Sequence, residues 1–357
     1  MTALEVILKK QIIASGPITV ADYMATCLMH PKHGYYQQRP VFGAEGDFTT
    51  APEISQMFGE MIGVWLMDRW TSMGKPSAFN IIEAGPGRGT LMADILRTAK
   101  ALPAFLDAAH IHFIETSEQL RQQQKRKVPN AEWHGDFSAL PAGPSLFVAN
   151  EFFDALPIHQ YIRKSGVWLE KRVGISSDAL CYALTPATGA VSLISDKLSN
   201  KAAEDSVIEI CPAAISIAGQ IADHIKQHTG AALIIDYGYF PAGIGDTFQA
   251  LEGHKYVDPL LNPGSVDLTA HVNFESLQQI ALEAGLAAPG PVDQGALLMR
   301  LGIGARCEAL ATAKADHKQA SLLSQLKRLT APSEMGTLFK AMHFQSSGLS
   351  AAPGFGL

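Results

Sequence analysis

The stretch Phe79–Arg97, FNIIEAGPGRGTLMADILR, decides the fold. An apolar run, FNIIE, is followed by glycines at 85, 87 and 89 and then by LMADIL at helical spacing. A strand that turns through glycines into a helix is the opening of a βα unit. Glycine has no Cβ, so the turn can be tight and a ligand can lie against the backbone. The same alternation continues downstream. IHFIE, SLFVANE and AALIIDYG read as strands, while SEQLRQQQKRK and AAISIAGQIADHIKQH read as helices. Such alternation predicts an α/β fold, a Rossmann-like, mostly parallel sheet, with TLFKAMHF as a closing strand.

Upstream, residues 1–75 read as a helical N-terminal cap. Thr19 and Asp22 form a capping-box signature, and Pro52 opens a long helix whose Ile54, Phe58, Met61, Ile62, Trp65 and Leu66 recur at helical spacing as a core stripe. The sheet domain is expected over 76–357, interrupted by β-hairpins near 158–200 and by a long Gly/Pro/Asp-rich connection near 239–271. Long connections of that kind are usually functional or disordered.

Composition narrows the function classes. The 357 residues carry a net charge of −6, which gives no support for a nucleic-acid partner. The four cysteines form no C-x-x-C pair, so no metal site is expected from them. His30 and His33 in HPKHGYY lack a third ligand at metal spacing. No apolar run is long enough to insert in a membrane. The N-terminal MTALEVILKKQIIASG is too short and too charged for a signal peptide. A cytoplasmic protein is the expectation.

Three ligand classes use a glycine loop at a strand end. A P-loop requires G-x-x-x-x-G-K-[ST], and no Lys-Ser/Thr follows here. A dinucleotide fingerprint is G-x-G-x-x-G, which has one residue more between its second and third glycines. The pattern acid-x-G-x-G-x-G, with Glu83 as the acid, is that of class I S-adenosylmethionine-dependent methyltransferases. Charge explains why. A pyrophosphate is repelled by an acid beside the loop, whereas a sulfonium and an α-ammonium are attracted, by about 4 kcal/mol per contact at 4 Å and an effective dielectric of 20, before desolvation. Gly85, Gly87, Gly89 and Glu83 are therefore candidate cofactor contacts, and Glu115, at the end of the second strand, is a candidate ribose partner. Asp136 in WHGDFS reads either as an acceptor for the adenine amino group or as an ordinary Asx turn.

The fourth strand runs into NEFFDALP, where Glu151 and Asp154 are the candidate catalytic acids facing an acceptor. The alternative is a capped helix start with Phe152 and Phe153 in the core. Asp47, Thr49 and Thr50 in GDFTTAPE read as groups closing over the cofactor or as a plain N-cap. Asp267 and His271, four apart in DLTAH, read as a proton relay or as a structural pair.

EAGPGRGTLMADILR and NEFFDALP together resemble the MidA-like (DUF185) family. Further matching stretches are YMATCLMHPKHGYY, GDFTTAPEISQMFGE, IIDYG, GSVDLTAHVNF and MGTLFKAM. The resemblance covers nearly the whole chain. It implies a class I methyltransferase fold, S-adenosyl-L-methionine as methyl donor, and a protein substrate with an arginine acceptor. The family includes the mitochondrial arginine methyltransferase that assists assembly of respiratory complex I, so a respiratory-complex subunit is the implied kind of partner. A small-molecule methyltransferase and a non-catalytic assembly factor that retains the cofactor pocket are the alternatives.

Overall fold

A computed structural model describes residues 1–38, 50–253, 255–312 and 315–356. The chain divides into two compact units, each assembled from three separate segments. One contains Met1–Phe48, Asp154–Ser216 and Tyr239–Asn273; the other contains Thr49–Phe153, Ile217–Gly238 and Phe274–Leu357.

In the first unit, α1 (Ala3–Ser15) is N-capped by Thr2 and α2 (Val20–Met29) by Thr19. The Thr19 hydroxyl accepts from the Asp22 N–H at 2.9 Å and donates to the Asp22 carboxylate at 2.7 Å. The hairpin expected at 158–200 is formed by His159–Lys164, Val167–Ser176 and Ala179–Pro186, which pair antiparallel in sequence order. Val207–Ile210 and the two-residue strand Ile18–Thr19 extend this sheet. The 239–271 stretch departs from expectation. It contains a small antiparallel sheet in which Gln249–Glu252 lies between Lys255–Val257 and Asp267–Thr269. Apolar residues scattered among its polar ones explain this. Phe248, Ala250, Val266, Leu268 and Ala270 are buried in one core with Leu4, Leu8, Tyr23, Met24, Leu28 and Tyr35.

The second unit is built on a sheet of β1 (Phe79–Ala84), β2 (Ala109–Ile114), β3 (Glu132–His134), β4 (Ser145–Asn150), β5 (Gly230–Tyr239), β6 (Val292–Asp293) and β7 (Phe339–Gln345). Their order is β6-β7-β5-β4-β1-β2-β3. The pairs β5–β4, β4–β1, β1–β2 and β2–β3 are parallel; β7 runs antiparallel to β5, with Ala231 opposite Gln345. This is the expected Rossmann-like sheet. The central strands are buried on both faces, as strands covered on both sides must be.

The helix expected to start at Pro52 is broken in two, α3 (Ala51–Ile54) and α4 (Gln56–Ser72). Ser55 between them is extended, and its hydroxyl accepts from the Met57 N–H at 3.3 Å. A serine that can cap a new helix competes with continuing the old one. The stripe of Phe58, Met61, Ile62, Trp65 and Leu66 is buried with Phe79, Ile81, Leu146 and Leu233 of the sheet. Packing therefore groups α3 and α4 with the sheet, while residues 1–38 group with the 158–200 and 239–271 stretches. A boundary drawn at residue 75 cuts across that grouping, because periodicity reveals an apolar face but not the surface it covers. Among the described residues, no helix is long and apolar enough to cross a membrane.

Candidate functional site

Gly85, Gly87 and Gly89 all have left-handed backbone, with φ of +62°, +51° and +74°. An L side chain is disfavoured there, so the alternate glycines are a backbone requirement of the turn. Space is also short: a Cβ on Gly85 would lie 2.8 Å from Cδ2 of Phe152. Gly89 is the N-cap of α5 (Thr90–Ala99), so the loop delivers the open N–H groups of a helix start to the carboxyl end of β1.

Side chains from three elements hold this loop. Gln124 of α6 (Glu118–Lys127) donates through Nε2 to the Gly87 carbonyl at 2.8 Å and to Oε2 of Glu115 at 3.1 Å. Trp133 Nε1 in turn donates to Gln124 Oε1 at 2.7 Å, fixing the amide's orientation. Glu53 of α3 accepts from the Thr90 hydroxyl at 2.5 Å and from Arg88 Nη1 at 3.4 Å. Lys127 Nζ donates to the same threonine oxygen at 2.5 Å.

Glu83 is buried, and its Oε2 has no hydrogen-bond partner among the described residues. Desolvation pushes its pKa up to about 8, so a cation brought beside it stabilises the ionised form. Glu115, just beyond the end of β2, accepts from the Ser117 N–H at 2.7 Å, and its own N–H donates to the His134 carbonyl at 3.0 Å. Burial raises its pKa, partly offset by the bonds from Ser117 and Gln124. Asp136 is on the surface and caps a short turn, accepting from the Ser138 N–H at 2.8 Å and the Ser138 hydroxyl at 2.5 Å. Those bonds lower its pKa. The Asx-turn geometry is thus present at Asp136.

At the end of β4, Glu151 has φ +52°. The left-handed region is uncommon for a residue with a long side chain and costs of order 1–3 kcal/mol. Its Oε1 accepts from the Ala51 N–H and from Asn150 Nδ2, both at 3.0 Å, and its N–H donates to the Ile235 carbonyl at 2.9 Å. The next turn is held by Asp236 of β5, a fully buried carboxylate. It accepts from the N–H groups of Phe152 and Phe153 at 3.2 and 3.0 Å and from that of Tyr237 at 3.0 Å.

Glu83, the three glycines, Glu115 and Glu151 thus occupy carboxyl ends of neighbouring strands of one sheet, where open α/β folds bind ligands. Asp154 belongs to the other unit, where it is buried and its carbonyl accepts from the Ala270 N–H at 3.0 Å. Asp47 and Thr49 lie outside the described residues. Thr50 occupies the N-cap of α3 without a side-chain capping bond. His30 Nδ1 accepts from the N–H groups of Lys32 and His33 at 3.2 and 3.1 Å, which closes a turn. Asp267 starts a strand, buried, and burial lowers the pKa of His271. Gln124, Glu53 and Asp236 were not singled out by sequence reasoning. Gln and Asp in those settings read locally as a solvated helix face and a strand end.

Residues 61–292 match a family model described as "Putative S-adenosyl-L-methionine-dependent methyltransferase". The chain belongs to this methyltransferase family. The protein arginine methyltransferase NDUFAF7 homologue of Drosophila melanogaster, a mitochondrial protein, is 38% identical over 93% of this chain and 82% of its own length. Human NDUFAF7, also mitochondrial, is 38% identical over 92% and 80%. A crystal structure from Burkholderia thailandensis, bound to S-adenosyl-homocysteine, superimposes with a TM-score of 0.83 at 26% identity, covering 99% of this chain and 94% of that one. The methyltransferase is thus an enzyme whose cofactor is S-adenosylmethionine. The glycine cradle and the unpartnered buried oxygen of Glu83 fit that cationic, phosphate-free ligand. The expectation of a cytoplasmic protein is overturned by these relatives, which are named as mitochondrial. Signal-peptide logic at the N-terminus does not address that compartment.

Proposed function

We propose that this methyltransferase modifies an arginine side chain of a protein, with a respiratory complex I subunit as the first acceptor to test. The reading is supported by relatives named as protein arginine methyltransferases. The observation that carries it is Glu151, an acid held at a strand end in a backbone conformation that favours glycine. Strain of this kind persists where the side chain has a task.

When bound, S-adenosylmethionine supplies an electrophilic methyl group on a sulfonium, and Glu83, Gly85, Gly87, Gly89 and Glu115 are the residues proposed to hold it. Glu115 takes the ribose hydroxyls. Asp136 is proposed for the adenine amino group, through the carboxylate oxygen that does not cap its own turn. Glu151 grips the guanidinium and draws its positive charge toward one pair of nitrogens, leaving the third with more lone-pair character. Asp154, three residues on, is proposed as the supporting acid. In the transfer the nitrogen–carbon bond would form as the carbon–sulfur bond breaks, the bonding pair would stay on sulfur, and the proton lost by the nitrogen would pass to solvent. Preorganised alignment is the main source of rate in such a displacement, worth up to about 7–11 kcal/mol.

The test is methyl transfer to arginine-containing peptides and mitochondrial extract proteins, followed by mass spectrometry. Methylarginine formed by the native enzyme and lost in Glu151→Gln supports the reading. Methylation confined to another side chain or to small molecules overturns the arginine assignment.

A further inference from the structure

We infer that His112, Glu132 and His134 form a binding site for one divalent transition-metal ion of the zinc class, on the face of the β2–β3 pair that ends at the cofactor crevice. Its ligands come from two strands, so no local sequence motif marks it. The parallel register sets His112 opposite Glu132 and Ile114 opposite His134. Side chains alternate along a strand, so His112, Glu132 and His134 emerge on one face. The opposite face, with Phe113 and Trp133, packs against the apolar core.

The three side chains offer ligand atoms that all lie within 4.8 Å of one another. His112 Nδ1 is 3.1 Å from His134 Nε2 and 3.8 Å from Glu132 Oε2. Tetrahedral zinc with bonds of 2.0–2.1 Å needs ligand atoms about 3.4 Å apart, between those two values. The donors are graded in exposure: His112 is buried, His134 half-buried and Glu132 exposed, so an ion can enter from the Glu132 side. Two imidazoles and a carboxylate, with water in a fourth position, suit zinc, cobalt, nickel or copper rather than magnesium or calcium. The ion would clip the three-residue edge strand β3 to β2. It would also sit one hydrogen bond from Glu115, whose N–H donates to the His134 carbonyl at 3.0 Å. The site is independent of the acceptor's identity.

The experiment titrates tag-free, full-length protein with cobalt(II), reading the visible bands of four-coordinate cobalt, and then displaces it with zinc in calorimetry. One ion per chain, with affinity reduced at least about tenfold in both His134→Gln and Glu132→Gln and unchanged in the exposed His317→Gln, supports the site. Both informative substitutions are at positions with exposed surface, and far-UV circular dichroism checks the fold. The absence of four-coordinate bands at one equivalent, or bands that survive both substitutions, overturns it.

Discussion

Two neighbouring strand ends in the same sheet solve opposite problems. Beyond β1 the chain turns left-handed three times and uses glycine each time. Beyond β4 it turns left-handed once and uses Glu151. On the proposed reading, the backbone at the first end is the ligand's surface, and the left-handed turn there is built from glycine. At the second the side chain is the proposed functional group, and the backbone cost is met by fixed neighbours: the Ala51 N–H, the Asn150 amide and, one residue further on, the buried Asp236. Glycine in a turn therefore signals what approaches the chain, and a strained acid signals what it reaches for.

The comparison breaks most severely at Gly87. A β-branched residue at φ +51° is a genuine outlier, so Gly87→Val is expected to abolish S-adenosylhomocysteine binding in calorimetry while the unit stays folded. Retained binding would show that the backbone is not the ligand's surface. At the other end, Glu151→Gln is expected to lower kcat by about 10²–10³-fold, as for loss of a transition-state charge partner, with cofactor affinity unchanged. A parallel loss of cofactor affinity would merge the two ends into one function.

The buried acid between them gives a pH test. Glu83 unliganded has its pKa pushed up to about 8 from 4.5, so it holds a proton at neutral pH. A cationic ligand selects the ionised form, and binding then releases one proton. Affinity should rise with pH by up to about tenfold per unit and level off above pH 8, and Glu83→Gln should flatten the profile. For the unliganded protein the sign is reversed. The folded state binds the extra proton between pH 4.5 and 8, so this group's contribution to stability falls as pH rises through that window. The smallest effect is expected at Gly85→Ala, about 1–2 kcal/mol from the left-handed backbone plus the displaced Phe152 ring. Adding Phe152→Ala should recover the second part only, read from urea midpoints.

What was legible in the sequence follows the same division. β1, its glycine turn and the helix after it are set by neighbours in sequence, and all three appear where expected. Gln124 and Trp133, which brace that turn, are nine residues apart on a helix and a strand, and neither has a local pattern. The strain at Glu151 is invisible to propensity, since glutamate carries no mark of positive φ. The break at Ser55 was missed because the apolar stripe continues through it. The division into units was least legible, since three segments share a core only through contacts between residues far apart in the chain.

That division has a consequence for synthesis. Leu4, Leu8 and Tyr23 leave the ribosome well before Ala270, which shares their core. Their helices must wait, with apolar faces uncovered, until residues about 250 positions downstream have been made. Such delayed, non-local closure slows folding and prolongs exposure to misassembly, so a nascent chain of this protein is a natural client for chaperones that shield amphipathic helices.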